Sequence, residues 1–191
     1  AYLTTPEAEA APHDFHNRLK HAFQSTKETD TSSAPVQQPI LEARDDKVET
    51  AVSADVLRRI GDSQVSWPEG FTPHPRLDPL MRKRQQSATE GPIDWSFGET
   101  LALGSLLLEG HPGRLSGQDS RRGTFVQRHC VLLDHHTGTE YLPLDHLLEN
   151  QARMGVSGPL LSELVGMGFE CGHARARPYA LLFWDVQFGN S

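Results

Sequence analysis

Two glutamates, Glu163 and Glu170, are the carboxylates of this chain whose spacing could serve chemistry. Seven residues make about two turns of an α-helix, so one helix would present both side chains on similar faces. Glycines at 166, 168 and 172 leave this stretch with little side-chain cover, which lets it pack closely against a flat surface. A carboxylate there could accept hydrogen bonds in a dry site, but the same spacing fits two solvent-facing glutamates.

The histidines, 10 in number, raise the question of a metal site. His13 and His16 lie three residues apart on a helical stretch that also holds His21, so the first two share a face. Neither a carboxylate nor a cysteine completes a convincing set of ligands around them. The sequence therefore predicts solvated histidines and no metal held by this chain.

The two cysteines, Cys130 and Cys171, each lie near a histidine in the sequence. A thiol nucleophile needs a base and an orienting group, which adjacency along the chain does not assemble. Two cysteines without a CxxC spacing also exclude a disulfide scaffold and disfavour a structural zinc site. We expect two ordinary buried thiols.

Four arginines surround the short segment 116–119, namely Arg114, Arg121, Arg122 and Arg128. Such a basic stretch can form a rim that meets an anionic substrate or a partner chain. Composition alone favours the simpler interpretation, a solvated loop.

Helix caps and apolar periodicity predict the helices that would position these residues. Ser53 is expected to cap a short helix that ends at Gly61, and Asp94 a longer apolar helix that ends at Gly110. Two more helices are expected, one beginning near residue 77 and one covering residues 161–172.

Strands are expected around Leu115, on both sides of a turn at residues 134–140, and at residues 180–184. The last of these is a continuous apolar run, which is typical of a parallel sheet covered on both faces. We expect residues 180–184 to lie beside the strand of Leu115. Helices that alternate with strands in this way favour an α/β fold.

Composition divides the chain into four segments. Residues 1–24 are predicted to form a helix in which Pro12 only resets the start. Residues 25–52 are rich in Ser, Thr, Pro and charged side chains and are predicted to form a flexible linker. A short helix at 53–66 then precedes the α/β region at 67–191.

The charge and hydropathy of the 191 residues exclude several classes of protein. A net charge of −7 argues against wholesale nucleic-acid binding. The longest apolar run, residues 101–108, is far short of the roughly 20 residues that span a bilayer, so no membrane contact is expected. The start lacks the pattern of a signal peptide, and we expect a cytoplasmic protein. Both ends suggest a segment of a longer protein.

A series of motifs carries a specific resemblance. They are IDW at 93–95, RLSGQDSRRGTF at 114–125, RH at 128–129, LSE at 161–163, GFE at 168–170 and QFG at 187–189. In order and spacing this series resembles the decarboxylating first component of 2-oxoglutarate dehydrogenase, in its long bacterial multifunctional 2-oxoglutarate decarboxylase form.

This resemblance implies a transketolase-like pyrimidine-binding domain, an α/β fold with a mostly parallel sheet flanked by helices, preceded by a helical and flexible segment. It implies an enzyme of the tricarboxylic acid cycle that decarboxylates 2-oxoglutarate with thiamine diphosphate. The succinyl group would pass to a lipoyl-bearing succinyltransferase component, and the complete protein would be a homodimer.

The resemblance also assigns roles to four residues. Glu163 matches the glutamate that hydrogen-bonds the aminopyrimidine of thiamine diphosphate and promotes its deprotonation. Phe188 matches an aromatic residue that packs on the pyrimidine. Gln118 and Asp119 match a loop near the cofactor. Nothing in the chain resembles the Gly-Asp-Gly…Asn motif with which a separate domain holds Mg²⁺ and the diphosphate, so the isolated chain is expected to be inactive.

The chain also departs from the family pattern. The departures are at Gly113, at residues 156–159, and at Cys171, His173, Asp185, Asn190 and Ser191. Two alternatives therefore stay open. One is a non-catalytic remnant that acts only as a dimerisation or interaction module. The other is an unrelated helical interaction module in which residues 1–66 are the working part.

Overall fold

The computed structural model describes residues 4–28, 49–158 and 162–186, which divide into two compact units. The first unit holds one helix, α1 (Thr5–Glu28). This helix continues through Pro12, so the proline does not reset its start. Residues 25–28, predicted to begin the linker, are still helical, and residues 29–48 lie outside the described part. Three apolar side chains of α1 are exposed: Phe15, Leu19 and Phe23.

The second unit holds the remaining elements. Its helices are α2 (Ala54–Ser63), α3 (Asp78–Glu90), α4 (Trp95–Leu108), a 3₁₀ turn (Pro143–His146) and α5 (Glu163–Ala176). Its strands are β1 (Gly113–Gly117), β2 (Leu132–Leu133), β3 (Glu140–Tyr141), β4 (Met154–Ser157) and β5 (Leu181–Asp185). Among the described helices, none is both long and apolar enough to cross a bilayer.

Within the described residues, the main sheet has three parallel strands in the order β4-β1-β5. In its register Leu115 lies opposite Val156 on one side and Phe183 on the other. The pairing of β1 with β5 confirms the prediction, whereas β4 is not among the predicted strands. Alternation of side chains along β1 separates its two faces. Leu115 packs in the core with Leu107 of α4, whereas Arg114 points to α5. The fold is therefore α/β, with α4 against one face of the sheet and α5 against the other.

Strand β5 differs from its prediction. It lies at an edge of the described sheet, and Phe183 is 39% exposed, so β5 is not covered on both faces. Its apolar sequence alone cannot distinguish a central strand from an edge strand.

The predicted caps of α2 and α4 are confirmed. The Ser53 hydroxyl accepts from the Val56 amide, and the Asp94 carboxylate accepts from the Phe97 amide at 2.8 Å. Trp95 follows the cap and is 96% exposed.

Gly61 does not end α2, which continues to Ser63. A Cβ atom at position 61 would lie 2.5 Å from the Cβ of Ala88 on α3. The glycine therefore permits close packing of two helices. Gly104 has a similar role on α4, where an added Cβ would lie 2.9 Å from the Ile60 side chain.

The predicted hairpin forms from β2 and β3, which pair antiparallel. Its turn is organised by Asp134, whose carboxylate accepts from the amides of His136 and Thr137 at 2.9 and 2.7 Å. The same carboxylate accepts from the Thr72 amide at 2.6 Å. These backbone hydrogen bonds lower the pKa of Asp134, those from Thr72 and Thr137 most strongly.

Candidate functional site

The carboxyl ends of the three parallel strands define one edge of the sheet. Gln118 and Asp119 follow β1 directly, and α5 begins six residues after β4 ends, with Glu163 as its first residue. Ligands of open α/β folds bind at this kind of edge. Phe188 lies outside the described residues.

Glu163 stands at the N-terminus of α5. The helix is capped by Ser162, whose hydroxyl accepts from the Val165 amide, and a helix N-terminus favours negative charge. Both carboxylate oxygens of Glu163 are buried, and neither has a hydrogen-bond partner among the described residues. A buried carboxylate without a partner is costly, so this group is suited to accept a hydrogen bond from something else.

A cavity of about 230 Å³ lies between the sheet and α5. Its walls include Ser116 of β1, Ser157 of β4, Gly166 and Phe169 of α5, and Trp184 of β5. The indole nitrogen of Trp184 is buried and, among the described residues, without a partner. Unused hydrogen-bonding capacity therefore occurs on β5 as well as at the start of α5.

Glu170 lies two turns further along α5 and is neither solvent-facing nor unpartnered. It is 5% exposed, and its two carboxylate oxygens accept from Arg114 Nε at 3.0 and 2.9 Å. Arg114 Nη2 lies 2.9 Å from the first of these oxygens. Burial alone would raise the pKa of Glu170, but the hydrogen bonds and positive charge of Arg114 outweigh it and lower that pKa.

The loop after β1 begins with a conformation that requires glycine. Gly117 has φ +142°, and a Cβ there would lie 2.1 Å from the carbonyl oxygen of Asp185. Asp119 follows with φ +55° and an exposed side chain, which forms an ion pair with Arg122 at 3.4 Å. The loop thus turns sharply where the resemblance places Gln118 and Asp119 near a cofactor.

Arg128 anchors the other end of this loop. Its Nε and Nη2 donate to the two carboxylate oxygens of Glu99 on α4, at 2.5 and 3.1 Å. Its Nη1 donates to Asp185 at 2.7 Å and to the Ser120 carbonyl at 3.1 Å. Burial would lower the pKa of Arg128, but its hydrogen bonds to Glu99 and Asp185 raise it, so the guanidinium is always charged.

The four arginines do not form one solvated loop. The side chains of Arg128 and Arg114 are 8% and 23% exposed, and each is held in ion pairs, with Glu99 and Asp185 for Arg128 and with Glu170 for Arg114. Arg121 and Arg122 are about half exposed and pair with Glu140 and Asp119. The interpretation from composition is therefore wrong for Arg114 and Arg128.

The cysteines differ from each other. Cys130 is buried, and burial raises the pKa of its thiol to about 11, so it is a poor nucleophile at neutral pH. Cys171 is exposed on α5, so the expectation that it is buried is wrong. His13 and His16 are exposed on α1, as expected, and the described part of the chain contains no cluster of histidine, cysteine and carboxylate side chains suited to a metal ion.

The structure thus defines an α/β protein with a parallel sheet. Its carboxyl edge carries a glutamate at a helix N-terminus whose buried carboxylate has no partner among the described residues. Comparison with known proteins makes this description more specific. No family model matches the chain. Over 98% of its length the chain is 40% identical to the multifunctional 2-oxoglutarate metabolism enzymes of Mycobacterium sp. strains JLS and KMS. It is 38% identical to the enzyme of the same name from Mycolicibacterium vanbaalenii.

The chain spans only 16% of the length of the strain JLS enzyme and 15% of that of strain KMS. The resemblance predicted from the motifs is confirmed in this form. Nearly all of the chain is similar to one segment of long enzymes named for 2-oxoglutarate metabolism.

Sequence reasoning did not predict the ion pair of Arg114 with Glu170. It also did not predict the ion pairs of Arg128 with Glu99 and Asp185. One signal was present: Arg114 stands second in a short strand whose neighbours, Gly113 and Leu115, belong in a core. A charged residue on the opposite face of a central strand needs a buried partner. Sequence spacing does not reveal that this partner is Glu170, 56 residues later.

Proposed function

We propose that this chain supplies the pyrimidine-binding half of a thiamine diphosphate site in a 2-oxoglutarate dehydrogenase of the decarboxylating, succinyl-transferring type. The observation that carries the proposal is the buried carboxylate of Glu163, which lacks a partner among the described residues and stands at the carboxyl edge of the sheet. The similarity to enzymes named for 2-oxoglutarate metabolism supports the choice of substrate.

Bound thiamine diphosphate would supply the carbanion chemistry that decarboxylates a 2-oxo acid. The residues of this chain would bind and orient its aminopyrimidine. The Glu163 carboxylate would accept a hydrogen bond from a ring nitrogen that carries a proton, and its dry surroundings would strengthen that bond. The same carboxylate can share the proton at that nitrogen, so Glu163 is the residue to which we assign acid–base work.

The remaining assignments complete the proposed site. Phe188 packs on the pyrimidine, and Gln118 and Asp119 border the cofactor from the loop after β1. Mg²⁺ and the diphosphate are held by a domain outside this chain. In the complete protein, a homodimer, the succinyl group passes to a lipoyl-bearing succinyltransferase, a reaction of the tricarboxylic acid cycle.

A chimera tests the proposal. This chain replaces the corresponding segment of the complete mycobacterial relative, and exchange of the C2 proton of thiamine diphosphate is measured. Glu163→Gln is expected to slow exchange by about 10²–10⁴, because an amide keeps the shape but cannot take up a proton. Glu170→Gln is the control on the same helix. Its C2-proton exchange is expected to slow by about tenfold or less, because the amide oxygen still accepts from Arg114.

Two results would contradict the proposal. One is exchange in the Glu163→Gln chimera as fast as in the parent chimera. The other is slower exchange in the Glu170→Gln chimera than in the Glu163→Gln chimera.

A dimerisation or interaction module is the second candidate function. Exposed apolar side chains on and after α5 favour it: Leu164 is 74%, Phe169 60% and Tyr179 75% exposed. If the chain is such a module, Glu163→Gln should not change the rate of C2-proton exchange in the chimera. The same measurement therefore separates the two candidates.

A further inference from the structure

Helix α5 is docked on the sheet in an unusual manner. Among its residues Glu170 alone is fully buried. Large apolar side chains of the same helix are instead exposed, with Leu164 at 74%, Met167 at 42% and Phe169 at 60%. No residue of α5 belongs to the hydrophobic core cluster, so interdigitated core packing does little to fix the position of this helix. The directional contact that Glu170 makes is suited to fix it.

That contact comes from the central strand. Arg114 lies between β4 and β5 in the register, opposite Gly155 and Leu182. Its guanidinium engages the Glu170 carboxylate through Nε and Nη2, with the distances of 2.9–3.0 Å given above. Both carboxylate oxygens share the hydrogen of Nε, and Nη2 adds an ion-pair contact, so the carboxylate faces one edge of the guanidinium and its orientation is fixed as well as its distance.

A second contact supports the same geometry. The central carbon of the Arg114 guanidinium lies 5.1 Å from the centre of the Phe169 ring. This distance is within the range of a cation–π interaction. Arg114 is thus held by two consecutive residues of α5, and its side chain stays largely buried between helix and sheet.

We infer that Arg114 and Glu170 are positioning residues, whose ion pair sets the register of α5 on β1 and thereby places the Glu163 carboxylate. A slip of one residue along a helix moves a side chain by about 1.5 Å and turns it by about 100°. A buried ion pair suits this role, since in some proteins such pairs specify one arrangement of the structure while adding little stability. The role of Glu163 itself rests on the proposed function.

The test compares two double variants in the chimera described above. Arg114→Met/Glu170→Leu removes both charges and leaves apolar side chains of similar volume, so its unfolding temperature should stay near that of the parent. Arg82→Met/Asp78→Leu is the matched control, because this pair on α3 has a similar distance of 2.8 Å but is much more exposed.

Two readouts are expected to change in the Arg114 pair variant only. Without cofactor, amide hydrogen exchange in α5 should accelerate at least tenfold, because the helix loses its fixed position. With cofactor, kcat should fall at least tenfold while KM for 2-oxoglutarate changes less than twofold. Arg114→Lys, which keeps the charge but not the fork, should recover part of both losses.

The outcomes separate the inference from the proposed function. The inference would be overturned if Arg114→Met/Glu170→Leu left both kcat and the amide hydrogen exchange of α5 unchanged. A loss of kcat that is fully explained by unfolding would also overturn it. If that variant fails to fold, Glu170→Asp replaces it, and parental α5 exchange in this shorter-armed variant would likewise overturn the inference. If the parent chimera neither binds nor uses thiamine diphosphate, the proposed function is wrong. Amide hydrogen exchange of α5 without cofactor would still test whether the ion pair fixes the position of this helix.

Discussion

The guanidinium of Arg128 lies 2.7 Å from the carboxylate of Asp185, so the loop after β1 is tied to the end of β5. Asp185 is one of the positions at which the chain departs from the pattern it resembles, where the resemblance implies a glutamate. The shorter side chain still reaches Arg128, because Gly117 lets β1 and β5 approach closely at this point. The departure at Asp185 is therefore compatible with an ordered carboxyl edge.

Replacement of Arg128 should loosen this edge. Arg128→Met removes four charge-assisted contacts, but Glu99 and Asp185 are 40% and 32% exposed and can be solvated afterwards. We expect a loss of about 2 kcal/mol in the free energy of unfolding, less than the roughly 3–5 kcal/mol of a fully buried pair that loses one partner. Urea denaturation of the 191-residue chain measures it. Arg121→Met, which breaks a half-exposed pair in the same loop, should cost about 0.5 kcal/mol or less. Equal losses in the two variants would contradict the anchoring role.

Gly117→Ala should be more damaging than the same change at another glycine with positive φ. At Gly117 the added methyl group meets the Asp185 carbonyl, whereas at Gly110, φ +89°, nothing lies within 4 Å. Gly110→Ala should cost only the strain of a left-handed alanine, about 1–2 kcal/mol. Gly117→Ala should exceed this because β1 and β5 must separate. Similar thermal shifts in the two variants would show that the strands can adjust to the methyl group.

Asp134 should make the chain sensitive to acid. Its pKa in the folded chain lies below the ordinary value of 3.8, so protons bind the unfolded chain more readily. The stabilisation is complete above pH 3.8 and shrinks as the pH falls below that value. Asp134→Asn should therefore lower the unfolding temperature at pH 7 and flatten its decline in acid. Glu149→Gln, a change at an exposed carboxylate, serves as the control and should leave the profile unchanged. A parallel shift of the Asp134→Asn profile at every pH would refute the electrostatic explanation.

The isolated chain should not decarboxylate 2-oxoglutarate, even with excess thiamine diphosphate and Mg²⁺. Metal and phosphate contacts should dominate cofactor affinity, and this chain lacks a motif for them. Release of labelled CO₂ is the measurement, with heat-killed protein as the control. Release above that control would show that 191 residues suffice for the reaction.

Local signals predicted much of the fold. The caps at Ser53 and Asp94 are short-range hydrogen bonds, and the hairpin follows from turn residues between apolar pairs. Gly61 shows where such reasoning stops. A glycine after an apolar helical stretch resembles a helix end. Here the glycine faces Ala88 of a second helix, and the sequence around Gly61 carries no information about that contact.

The candidate site was predicted in part for the same reason. The motif around Glu163 identified the carboxylate that the structure leaves buried and unpartnered among the described residues. The contact between Arg114 and Glu170 joins residues 56 positions apart, and that of Arg128 with Asp185 joins residues 57 apart. Pairs so distant in sequence are fixed by strand order, which a single sequence does not specify.

The contrast between the two cysteines provides an experimental handle. Cys130 is buried and its thiol pKa is raised to about 11, so maleimide reagents at neutral pH should react with Cys171 alone. Cys171 follows Glu170 directly on α5. A single fluorophore or spin label, attached to the natural sequence without mutagenesis, would therefore report the movements of the helix that carries Glu163.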